Sequence, residues 1–152
     1  MSNFAKIKGY DVRLDVAYDP DSHMWIKQVS NGNVRIGMDP LGVEINGTLA
    51  QVALMDLGTD LKKGDPMGTM EAEKFVGPFT SPLSGKVVAN NLELASNPAL
   101  IDQDPYDQGW LIELEPTDLE QELKSLVSGE DQIKKWFEDK VQEYKIKGVL
   151  AE

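Results

Sequence analysis

The chain has no cysteine, a single histidine and no long apolar run. Without cysteine there is no disulfide framework, no thiolate metal site and no cysteine nucleophile, so any redox or sulfur chemistry must come from a bound group. The lone His23 has no second ligand and no nucleophile beside it, and is expected to be structural. No stretch reaches the length of a membrane helix, and the opening MSNFAKIKGYDVRLDV lacks the apolar core of a signal peptide. A cytoplasmic protein without membrane insertion is expected. Positive charge is scarce as well: 15 Lys and Arg stand against 26 Asp and Glu, a balance of −11. Phosphate backbones are captured by clustered Lys and Arg, so this composition argues against nucleic-acid binding. Gly-rich phosphate loops, G-x-S-x-G, H-E-x-x-H and EF-hand patterns are all missing, which leaves catalysis by the polypeptide without support.

What is present is enough for one folded domain: 152 residues, 41% of them hydrophobic. Up to Pro116, short Val/Ile/Leu runs alternate with Gly, Pro and Asp, the pattern of many short strands. Strands are predicted at His23–Gln28, Asn33–Met38, Thr48–Met55, Pro66–Glu71, Gly85–Asn90 and Gly109–Glu115, with a short helical turn within Asp39–Gly47. Residues 1–116 are therefore read as an all-β domain. From Thr117 the pattern becomes helical. Thr117-Asp-Leu-Glu120 has the form of a capping box and predicts a helix from Asp118 to Val127. Ser128-Gly129 breaks it, and Ile133, Trp136, Phe137, Val141 and Tyr144 then make an apolar stripe on a second helix, expected to dock on the β domain. Residues 117–152 are read as this helical extension, with KIKGVLAE as a frayed tail.

One stretch stands out chemically. Leu57-Gly-Thr-Asp-Leu-Lys-Lys-Gly64-Asp65 forms a turn, Met70-Glu-Ala-Glu-Lys74-Phe follows a strand, and Ser81-Pro-Leu-Ser-Gly85-Lys-Val-Val88 leads into another. With Gly77-Pro78 turning the chain back, Lys74 falls at or near the tip of a hairpin. Glu71 and Glu73 keep that tip polar. Taken alone, Lys74 is an ordinary solvated lysine; in this setting it is one that a modifying enzyme can reach.

The three segments, in this order and spacing, resemble the biotinyl/lipoyl-attachment superfamily, whose members acylate the lysine between such flanks. Biotinyl domains bracket their lysine with methionine, whereas Lys74 lies between Glu73 and Phe75. Lipoate is the better match. Along nearly the whole chain the sequence resembles the H protein of the glycine cleavage system: Tyr18 and Ser22-His23-x-Trp25, Gly37-x-x-x-x-Gly42, and Asn97-Pro98-Ala-Leu-Ile-Asp-Gln-Asp104-Pro105-Tyr106-x-x-Gly109-Trp110. Lys74 precedes Ser81 by seven residues, as the family's lysine precedes its S-P-x-S-G, and Glu71 matches the Glu of its E-S-V-K. The resemblance implies an all-β dominated, flattened barrel-sandwich of two antiparallel sheets with a short helix and two C-terminal helices. It also implies lipoate amide-linked to Lys74 in a monomeric carrier protein, modified by a lipoate ligase or lipoyl-assembly enzymes. Such an arm would sweep on the order of 10 Å from the hairpin tip.

Two positions depart from the family. Its S-H-E-W becomes Ser22-His23-Met24-Trp25, and the acidic residue four places after its lysine becomes Pro78. Both carboxylates expected beside a cationic aminomethyl cargo are missing, and Met24, Phe75, Pro78 and Phe79 offer an apolar shelf instead; Met24 and Phe79 can equally be core residues. These departures resemble the lipoate-binding protein of the heterodisulfide-reductase-like sulfur-oxidising complex, and imply a sulfur-bound cargo and that complex as partner. The alternative is a glycine cleavage carrier served by glycine decarboxylase, aminomethyltransferase and dihydrolipoamide dehydrogenase. A third reading is an unlipoylated scaffold that binds a partner through the Trp136 helix.

Overall fold

The computed structural model describes residues 3–150. Strands β1 (Phe4–Ile7) and β2 (Tyr10–Arg13) form an N-terminal hairpin. They lead into β3 (Ala17–Asp19), β4 (Met24–Gln28) and β5 (Val34–Met38), then helix α1 (Pro40–Asn46). Next come β6 (Leu49–Leu54), β7 (Asp60–Leu61), β8 (Pro66–Ala72), β9 (Val76–Thr80) and β10 (Gly85–Asn90). Single turns α2 (Glu93–Ser96) and α3 (Leu100–Gln103) precede β11 (Ile112–Pro116), and the turn α4 (Leu119–Glu122) precedes the long helix α5 (Glu130–Ile146).

Two antiparallel sheets, ordered β3-β4-β5-β11-β10-β7 and β6-β8-β9, make a flattened, unclosed sandwich of the expected class. Ile26, Ile36, Val87 and Leu114 from the large sheet share one core with Met67, Met70 and Phe79 from the small one. Burying each such side chain is worth about 1.5–3 kcal/mol, so the sheets hold each other. A second core lies between the N-terminal hairpin and α5, where Val12, Tyr18 and Trp25 meet Ile133, Phe137 and Val141. The stripe read from sequence thus docks on the β structure, with the Tyr18 and Trp136 rings 5.4 Å apart. Gly37 pairs with Trp25 across β4 and β5, and a Cβ there would lie 2.4 Å from the indole, so only glycine lets the ring lie flat on the sheet. The indole N–H donates to the Pro105 carbonyl at 2.9 Å, which fastens the Asn97–Trp110 segment onto β4.

Several local readings are corrected. The six predicted strands are present, but β1, β2, β3, β7 and β9 are additional. Gly77 and Pro78 lie inside β9 rather than in a turn; β9 is an edge strand, where a proline without an N–H is tolerated. The helix expected over Asp118–Val127 is one turn of α-helix and a 3₁₀ turn, with no side-chain cap from Asp118. The Thr117 N–H donates to the Ser84 carbonyl instead, and Val127 pairs with Tyr18 through two 2.8 Å backbone bonds, pulling the chain out of helical geometry. Nor is the tail wholly frayed: Lys145 and Ile146 end α5 and Leu150 is buried in the second core, while residues 151 and 152 lie outside the described part.

Candidate functional site

In β8, Met67, Met70 and Ala72 point into the core while Thr69 and Glu71 face out. The strand turns at Glu73-Lys74-Phe75, closed by the Ala72 N–H donating to the Phe75 carbonyl at 2.8 Å, and β9 returns. Lys74 sits at the tip, exposed. Among the described residues its ammonium has no ion pair or hydrogen bond, although Glu71 and Glu73 are close in sequence.

The backbone of the tip is held firmly. The Lys74 N–H donates to the Asn46 carbonyl at 2.9 Å, and the Glu73 N–H to the Thr48 carbonyl at 2.9 Å. Asn46 is the last residue of α1, so its carbonyl is one of those a helix end leaves without a partner. Gly47 follows with φ 79°, and a Cβ there would lie 2.9 Å from the Cβ of Glu73. Glycine is thus required both by the turn and by the close approach of the hairpin. A Cβ at Gly77 would lie 2.9 Å from the end of the Phe75 ring.

Beside the tip is a cleft of about 230 Å³. Its apolar lining includes Met24, Met38, Met70 and Phe79, all buried, with Phe75 and Pro78 exposed at the rim. The shelf expected from sequence therefore exists, and Met24 and Phe79 belong to the core and the cleft at once. Among the described residues Asp21 is the one carboxylate in the lining, on an exposed turn.

His23 forms a corner of the cleft. Its Nδ1 lies 3.1 Å from Asp39 Oδ2 and its Nε2 2.6 Å from the Tyr144 hydroxyl. Asp39 is wholly buried and caps α1 by accepting the Gly42 N–H at 2.8 Å. In the neutral ring these partners are satisfied when Nδ1–H donates to Asp39 and Nε2 accepts from Tyr144. Burial, with Glu143 and Asp39 nearby, raises the Tyr144 hydroxyl above the usual tyrosine range.

Sequence reading found Lys74 and the shelf but not Asn46, Gly47, Asp39 or Tyr144. The Asp39-Pro40 pair is a helix-start signal that could have revealed the cap. Tyr144 was legible only as part of an apolar stripe, because its hydroxyl meets a residue 121 positions away.

Comparison with known proteins fits this geometry. A family model described as glycine cleavage H-protein matches residues 17–140. The chain belongs to the glycine cleavage H-protein family. It is 34% identical to glycine cleavage system H protein 2 of Aquifex aeolicus over 84% of this chain and 80% of that one. It is 38% identical to the glycine cleavage system H protein of Oceanobacillus iheyensis, over 77% of this chain and 90% of that one. A crystal structure of a glycine cleavage system H protein from Mycobacterium marinum matches with a TM-score of 0.64 at 34% identity, over 70% of this chain and 87% of that one. H-protein family members are lipoyl carriers rather than catalysts, and they bear lipoate covalently. This chain is accordingly a carrier, not an enzyme. Its residues fit such a group: an amine unpaired among the described residues, on a tip hydrogen-bonded to the end of α1 and next to an apolar cleft into which a folded arm can pack.

Proposed function

We propose that Lys74 is the attachment point of a lipoyl arm and that the protein moves arm-bound intermediates between partner enzymes. The observation that carries this reading is the exposed, unpartnered amine of Lys74 on a tip tied to α1. Lipoate supplies a dithiolane that can be opened by reduction, take up a fragment on sulfur and be closed by oxidation, which this cysteine-free chain otherwise lacks. The chain's own part is to fix the tip, expose the amine to a lipoate ligase or lipoyl-assembly enzymes, and shelter the arm's end beside Met24, Met70 and Phe79.

In this reading the cargo is a sulfur-bound fragment passed to a heterodisulfide-reductase-like complex, and what speaks for such a cargo is the apolar lining of the cleft. A cationic cargo placed there would lose hydration with only the exposed Asp21 to compensate, at a cost of several kcal/mol. A neutral or anionic sulfur fragment carries no such demand. The second reading is glycine cleavage with an aminomethyl cargo, with glycine decarboxylase, aminomethyltransferase and dihydrolipoamide dehydrogenase as partners; the names of the relatives favour it.

Intact mass after co-expression with a lipoate ligase tests attachment. One lipoyl mass, lost in Lys74→Ala, is expected; an unmodified wild-type chain would instead indicate a scaffold. Supplying the lipoylated protein to glycine decarboxylase and aminomethyltransferase separates the cargo readings. Efficient glycine-dependent CO₂ exchange would reject the sulfur reading.

A further inference from the structure

His23 has a backbone conformation that its residue type seldom adopts. Its φ is 57°, in the left-handed region, in the turn between β3 and β4. Such a backbone persists where surrounding contacts over-determine it. Here the His23 N–H donates to the Asp19 carbonyl at 3.0 Å and the His23 carbonyl accepts the Asp39 N–H at 2.8 Å, while both ring nitrogens are bonded, to Asp39 and to the Tyr144 hydroxyl.

These bonds run on to Lys74. Tyr144 of α5 donates to the ring of His23, the ring donates to the wholly buried Asp39, and Asp39 accepts the Gly42 N–H in the first turn of α1. Helix and turn also touch directly, because a Cβ at Gly42 would lie 3.1 Å from the His23 Cβ. At the other end of this seven-residue helix the Asn46 carbonyl accepts the Lys74 N–H. About 10 Å of hydrogen-bonded helix moves as one piece, so a shift at its start is felt at its end. The family model covers His23, Asp39, Asn46 and Lys74, whereas Tyr144 lies past its limit at residue 140.

We propose that Tyr144 is a positioning residue for Lys74: acting through His23, Asp39 and α1, its hydroxyl holds the Asn46 carbonyl beneath the lysine and presents the amine in one place to the enzyme that acylates it. The inference rests on the attachment reading above and deepens it. A bare lysine side chain reaches only about 6 Å from its Cα, so the acylating enzyme must engage the tip itself and is sensitive to where that backbone lies.

The test reads amide hydrogen exchange of the full chain by NMR. Tyr144→Phe removes the hydroxyl and keeps the ring. The Gly42 and Lys74 amides should then exchange about three- to tenfold faster, as expected for one lost hydrogen bond, while the Leu111 amide, bonded to the Ile36 carbonyl, stays as in wild type. His23→Asn tolerates the same φ but is too short to reach Tyr144, and in that background Tyr144→Phe should change neither amide further. The kcat/KM of a lipoate ligase, read at Lys74 by peptide mass, should fall by a similar factor in Tyr144→Phe. Acylation of the same exposed amine by a small succinimidyl ester should not change. A faster Gly42 amide beside an unchanged Lys74 amide confines Tyr144 to the structure of the turn and overturns the inference, as do additive effects of the two substitutions or an equal acceleration at Leu111. A wild-type chain that never gains a lipoyl mass sinks the carrier reading instead, and a lipoylated chain whose Lys74 amide ignores Tyr144→Phe sinks this inference alone.

Discussion

The backbone N–H of Lys74 donates to the carbonyl of Asn46 at 2.9 Å, tying the β8–β9 hairpin tip to the end of α1. One bond satisfies a helix-end carbonyl and fixes the backbone under the amine proposed to carry the arm. The side chain of Lys74 is exposed and unpaired among the described residues, while its main chain is hydrogen-bonded to the end of α1.

Gly47 makes that bond possible. Gly47→Ala places a side chain at φ 79° and 2.9 Å from the Glu73 Cβ, and should lower stability by about 1–3 kcal/mol in urea unfolding. It should also slow modification of Lys74 by a lipoate ligase, read as the modified fraction in intact mass. Unchanged stability and modification would show that the tip does not depend on this contact.

Lys74→Ala should behave differently. The side chain is exposed and unpartnered, so stability should stay within about 0.5 kcal/mol of wild type. Only the lipoyl mass should disappear, which separates loss of the anchor from loss of the fold.

Gly37→Ala acts on the core instead. The new Cβ meets the rigid, buried Trp25 ring at 2.4 Å, and the ring is held by Pro105. A loss of about 1–3 kcal/mol is expected in thermal or urea unfolding, with a weakened near-ultraviolet tryptophan signal.

The Tyr18 and Tyr106 hydroxyls lie 2.7 Å apart. Burial is the largest cause raising both above the ordinary tyrosine value, and for Tyr18 the neighbouring Tyr106 adds to it. Folding therefore favours the protonated hydroxyls; this stability is fully present below the unfolded value near pH 10 and is lost as pH rises above it. The melting temperature of the wild type should fall more steeply than that of Tyr18→Phe between pH 9 and 11.5.

The two missing carboxylates can be restored together. Met24→Glu with Pro78→Asp should raise any residual glycine-dependent CO₂ exchange by the lipoylated protein, at some cost in stability because Met24 is buried. No gain in exchange, in a double variant that folds, would remove the carboxylate argument from the choice of cargo.

Six of the nine strands of the two sheets, the helix stripe of Ile133, Phe137 and Val141, and the placing of Lys74 at a hairpin tip could be read from residue order, while β3, β7 and β9 could not. Periodicity, turn residues and motif spacing act between near neighbours, and their signals are written locally. The same locality explains the errors: Thr117-Asp-Leu-Glu120 has a capping pattern, but pairing of Val127 with Tyr18 overrode it. The rest depended on residues brought together from far apart. Asn46 under Lys74, and Asp39 and Tyr144 around His23, arise because the end of α1 meets the hairpin tip while Asp39 at its start and Tyr144 of α5 meet the turn that carries His23. Hydrogen bonds across 16 and 121 positions leave no pattern in a single chain. The amine was legible in the order of residues, whereas the cleft beside it exists only because the two sheets and α1 bring Met24, Met38, Ile45, Met70 and Phe79 together from far apart in the chain.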